Sequence, residues 1–165
     1  MKKLSLVLAI GLSLVLMAGG AFAASDTKSL TVNAAVNARA TLSLGQTAIN
    51  FIDADPGTTP SIGATENAVS VTANARTGAG STATLTHQAA DDLKSGSDLI
   101  LIGNVTWTAS GAGFQGGTMN KTPQSAGSWT GPGSHSGTFS YFLANSWSYA
   151  TGSYAVSSTY TLTAP

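Results

Sequence analysis

The chain has 165 residues, no cysteine, 8% charged side chains and a formal net charge of zero. This excludes a disulfide framework, a thiolate metal site and a lipid anchor on a thiol. Few cations, scattered along the chain, exclude the basic face that nucleic acid demands, and 42% apolar residues laid out in alternating segments exclude a disordered chain.

The N-terminus reads as a secretory signal peptide over residues 1–23. Lys2 and Lys3 precede an apolar run from Leu4 to Met17, then small residues and the cleavage pattern Ala21-Phe22-Ala23. The run is short for a bilayer span, and no second apolar run follows, so no membrane span is expected after signal cleavage. The expected destination is outside the cytoplasm, secreted or at the cell surface via the periplasm. From residue 24 onward five cations remain (Lys28, Arg39, Arg76, Lys94 and Lys121) against seven carboxylates, on a surface of Ser, Thr, Asn and Gly.

From Ser29 to Leu44 apolar and polar residues alternate strictly, a period of two that specifies strand. Sixteen residues exceed an ordinary strand. Asn37 and Arg39 mark a corner, which divides the stretch into an N-terminal extension, residues 24–37, and a first domain strand with Ala40, Leu42 and Leu44. Residues 38–165 then form the domain. The alternation returns at Val69, Val71, Ala73 and Ala75, at Ala83 and Leu85, at Val105, Trp107 and Ala109, and at Tyr154, Val156, Tyr160 and Leu162. Turn residues separate these segments at Asp55-Pro56-Gly57, Gly78-Ala79-Gly80, Gly111-Ala112-Gly113 and Gly131-Pro132-Gly133. One all-β, antiparallel Ig-like sandwich follows. A single helical turn is expected near Gln88 to Leu93.

Aromatic residues gather in the last third. Phe139, Tyr141 and Leu143 share one parity and read as core, with Trp107 as the central core ring. Trp129, between Gly127 and Gly131, is expected to be an exposed ring in a turn. No catalytic constellation emerges. His87 continues the parity of Leu85, and His135 is expected in a loop. The elbow pattern G-x-S-x-G is absent, so an enzyme, a cofactor and a catalytic residue are not expected. Asp53 and Asp55 could offer oxygens to calcium, but the spacing lacks a calcium-loop pattern, and a solvated turn is the expectation.

Three segments, Leu30-Thr31-Val32-Asn33-Ala34-Ala35-Val36, Val105-Thr106-Trp107, and Gly152-Ser153-Tyr154 leading to Tyr160-Thr161-Leu162-Thr163, carry a resemblance. The layout is similar to subunits of chaperone-usher fimbriae, especially the cysteine-free alternate class, and to spore coat U-like secreted proteins. That resemblance implies an incomplete sandwich whose N-terminal extension completes a neighbouring subunit. Leu30, Val32, Ala34 and Val36 would be the donor-strand residues, and Tyr160 and Leu162 would border the groove. The implied partners are a self-polymer and a periplasmic chaperone. The competing expectation is a monomeric secreted carbohydrate-binding or adhesive module, with Trp129 and Trp147 as its glycan-stacking rings.

Overall fold

The computed structural model describes residues 23–165, so the expected signal peptide lies outside the described residues apart from Ala23. The chain divides at Ala34/Ala35 into two units. The described part of the first, residues 23–34, carries no helix or strand, and neither do the next four residues.

The second unit is an antiparallel β-sandwich. Its strands are β1 (Arg39–Leu44), β2 (Ser61–Gly63), β3 (Val69–Arg76), β4 (Thr82–Ala89), β5 (Leu93–Ser95), β6 (Asp98–Ile100), β7 (Val105–Ser110), β8 (Gly117–Thr118), β9 (Gln124–Thr130), β10 (Gly133–Ala144) and β11 (Ser158–Thr163). One sheet runs in the order β1-β3-β10-β7-β8, with β2 also paired to β10. The second is β11-β4-β9, and β5-β6 is a separate hairpin.

Alternation drives each central strand, since successive side chains leave opposite faces of the pleat. On β3 it buries Val69, Val71, Ala73 and Ala75, and on β4 Ala83, Leu85, His87 and Ala89. Phe139, Tyr141 and Leu143 enter the core from β10, and Trp107 from β7, as their parity predicts. Aromatic rings stitch the two sheets together at the centre. Tyr160 of one sheet stacks on Phe139 of the other with ring centroids 5.4 Å apart, and His87 lies 5.2 Å from the Trp107 ring across the layers. Such pairs add to simple area burial when the rings are offset or tilted.

Two local expectations change. The helical turn near Gln88 to Leu93 does not form: β4 continues to Ala89, whose amide donates to Asn120 O. The aspartates beyond it pin neighbouring chain instead. The Asp92 carboxylate accepts from the Ile102 amide at 2.8 Å and from Lys121 Nζ at 2.7 Å. These bonds hold it ionised in its buried position, pulling its pKa below the usual carboxylate range through the Ile102 amide first and Lys121 second. A 3-10 turn, Ile102–Asn104, follows. The other change concerns the Tyr154 to Val156 stretch, which is not part of the closing strand. Ala155 makes only an isolated pair of backbone bonds with Lys94, because β4, the partner of the closing strand, ends at Ala89 opposite Ser158; Tyr154 Oη donates to Ala150 O within the loop.

Candidate functional site

The two edges where the sheets meet differ. On one, the chain from Gly111 to Thr118 bridges the layers. Gln115 N donates to Ala126 O and Ser128 N to Gly113 O, tying this segment to β9, while Thr106 and Trp107 on β7 pair with Thr118 and Gly117. Both buried indoles donate into the strap, Trp107 Nε1 to Gln115 O and Trp129 Nε1 to Ala112 O, each at 2.8 Å. The glycines are required here. Gly113 has φ +81°, and a Cβ on it would fall 2.3 Å from Trp129 Nε1.

The opposite edge has no strap. There β1 pairs only with β3, and β11 only with β4. β1 and β11 run close to one another, yet no backbone ladder joins them among the described residues. β1, β3, β10 and β7 follow the A-B-E-D order of an immunoglobulin sheet and β4 and β11 the C and F positions, while β9, beside β4 but after β7 in the chain, has no counterpart in that scheme. No described strand takes the G position beside F.

The side chains record the same opening. Leu42 and Leu44 on β1 and Tyr160 and Leu162 on β11 pack against the core but remain half-buried. Their neighbours on β3 and β4, Val71, Ala73 and Leu85, are almost completely enclosed. Tyr160 Oη is held by Tyr141 Oη at 2.8 Å, and burial raises the pKa of both phenols, so they act here as neutral hydrogen-bonding groups. The seam therefore offers two unpaired backbone edges flanking a row of partly exposed apolar side chains, the arrangement that accepts an added strand.

The donor-strand residues named from the sequence lie upstream. Leu30, Val32 and Val36 are 88%, 83% and 71% exposed, and Ala34 is exposed too. An alternating row left in water is unusual for residues of this kind. From Leu30 to Val36 an extended chain spans about 20 Å, close to the length of six-residue β1 and β11.

Other sequence-predicted positions fall as follows. Trp129 is not an exposed turn ring. It lies on β9 and is buried, because Gly127 is a strand residue whose missing side chain makes room for the indole: a Cβ there would sit 2.5 Å from Trp129 Cη2. Only Gly131, with φ +80°, belongs to the turn. His135 is on β10 rather than in a loop and stacks on Trp129 at 4.7 Å. His87 is completely buried, with neither ring nitrogen hydrogen-bonded, and burial pushes its pKa down to about 4. Trp147 is 77% exposed and its ring reaches over the turn at Gly57. In that turn Asp55 Oδ1 accepts the Gly57 amide at 2.8 Å, a local bond that closes the turn.

Sequence reasoning missed one juxtaposition. Arg39 and Arg76, 37 positions apart, are direct cross-strand partners. Only the β1–β3 register creates this pair, so no local pattern announces it. No family model, no curated protein and no solved structure matches the chain.

Proposed function

We propose that this chain is a structural surface subunit, exported through the periplasm, that assembles by β-strand complementation like the fimbrial subunits it resembles. The single observation that carries the reading is the seam between β1 and β11, with two unpaired edges and half-buried Leu42, Leu44, Tyr160 and Leu162. The exposed, alternating Leu30, Val32, Ala34 and Val36 supply a complementary strand of matching length. Added from another copy, its main chain would extend the free edge of β11, with β1 parting from it to admit the strand, and its apolar side chains would cover the half-buried row, while a periplasmic chaperone would lend an equivalent strand before assembly. The outward faces of the sheets carry hydroxyls and amides, which suits a subunit coat.

Unheated denaturing electrophoresis of surface-sheared and periplasmic fractions tests this. The expected result is a ladder that collapses to one band on boiling and vanishes in Val32→Asp/Val36→Asp, with the domain's unfolding midpoint unchanged. A single band before boiling in every fraction, or a ladder surviving both substitutions, would overturn the reading.

A second reading, a monomeric glycan-binding or adhesive module, draws on the exposure of Trp147 beside the Asp55–Gly57 turn. Trp129 has no part in it, since its ring is enclosed. Retention on a glycan panel that is lost in Trp147→Ala, with monomers throughout, would favour this second reading.

A further inference from the structure

The five cations of the described residues divide into two groups. Lys28 is paired with Asp26, Lys94 with Asp91, and Lys121 with Asp92. No ion pair among the described residues engages Arg39 or Arg76, and the β1–β3 register sets them directly opposite each other. The inward positions of these strands are Leu42, Leu44, Ala73 and Ala75, so Arg39 and Arg76 share the outward face. Like charges directly opposite destabilise a sheet, and in a chain with 8% charged residues this pairing is not forced by crowding.

Beside the two arginines lies a shallow basin of about 400 Å³, lined also by Thr41, Asn74, Ala75, Pro132, Gly133 and Ser134. Thr41, Asn74 and Ser134 occupy one rung across β1, β3 and β10, and the next rung is Ser43, Thr72 and Ser136. The outward face thus begins with a double guanidinium fork and continues as an uncharged surface of hydroxyls and one amide. Guanidinium forks match the paired oxygens of carboxylates and sulfates, and two on adjacent strands can grip one such group from both sides.

We propose that Arg39 and Arg76 form an oxyanion-binding site for an acidic polysaccharide, one that bears carboxylate or sulfate groups on a hydroxyl-rich chain. The site holds the acid group between the two guanidiniums, and the Thr41-Asn74-Ser134 rung hydrogen-bonds sugar hydroxyls beside it. A nucleic acid would need further cations along the face, and the rungs next to the arginines supply none. A lipid headgroup would need large apolar side chains beside it to reach the acyl region, and the basin offers only Ala75 and Pro132. The site is on the outward face of β1, whereas strand complementation uses its free backbone edge, so the two properties separate by mutation.

The test is calorimetric titration of the full chain with dextran sulfate, polygalacturonate, neutral dextran and inorganic sulfate, for wild type, Arg39→Gln/Arg76→Gln and Lys28→Gln. Both acidic polymers are expected to bind wild type and neutral dextran is not. The double substitution should weaken binding by about tenfold or more, Lys28→Gln should leave it unchanged, and added salt should weaken it. The double variant should unfold at or above the wild-type midpoint, since it removes a repulsion, and should still form any boiling-sensitive ladder. Affinity retained within about twofold in the double variant, equal binding of neutral dextran, or binding of inorganic sulfate with neither acidic polymer would overturn the proposal.

Discussion

The two edges of the sandwich are made from similar strands and end differently. At the β7–β9 edge, the strap from Gly111 to Thr118 gives its backbone to both layers, and two tryptophan N–H groups are satisfied by its carbonyls. At the β1–β11 edge the two strands come close without a backbone ladder, and four large side chains stay half-buried. The lesson is that closure depends less on hydrophobic content than on a spare length of chain to supply backbone partners. Where no described segment supplies those partners, the edges of β1 and β11 stay unpaired.

Substitutions should separate the edges. Trp129→Ala removes a buried ring from the closed edge together with its hydrogen bond to Ala112 O, a loss of about 3–5 kcal/mol in urea unfolding. Leu162→Ala at the open seam should cost only about 1–2 kcal/mol, because the leucine is half-exposed in the monomer. Equal losses would erase the distinction.

Acid probes the core behind the open edge, where His87 lies against Tyr160 and Trp107. Its pKa is about 4 in the fold and about 6.5 in the unfolded chain, so the unfolded state takes up the proton first. The stability is therefore full above pH 6.5 and falls as pH drops toward 4, by about 3 kcal/mol in total. His87→Leu should flatten that part of the profile. Glu66, whose pKa is lowered to about 2 by its bonds to the Asn50 side chain and amide, contributes stability that is present above the unfolded carboxylate range and lost only as pH falls further, so the two windows separate in an acid titration of unfolding.

Gly127→Ala drives a methyl into Trp129 and should cost about 1–3 kcal/mol at the closed edge, read from the shift in the urea midpoint. Smallest and opposite in sign, Arg39→Glu should turn a repulsive cross-strand pair into an attractive one, a gain of about 0.2–1 kcal/mol by thermal unfolding.

How far the sequence reveals all this depends on whether a feature is local. The alternation of β3, β4, β7 and β10 reports burial directly, and the core positions of Val71, Leu85, Trp107 and Phe139 follow from parity. Trp129 misleads because its flanking glycines read as turn residues, while Gly127 in fact clears space for an indole on a strand. Tyr154 and Tyr160 have the same spacing logic, yet only Tyr160 finds a strand partner, since β4 ends at Ala89 opposite Ser158. The seam itself is an absence of pairing between β1 and β11, 114 or more positions apart, and the arginine pair depends on register; neither leaves a local trace.

The chain has no cysteine, which makes cross-linking clean and gives the most direct measurement. Two singly substituted proteins, Val32→Cys and Leu162→Cys, are mixed, allowed to assemble and oxidised. Strand complementation predicts a reducible dimer joining one of each kind, which disappears when Val36→Asp is added to the first. Assembly that proceeds with no mixed disulfide, or a disulfide indifferent to Val36→Asp, would contradict the seating of the extension in the β1–β11 seam.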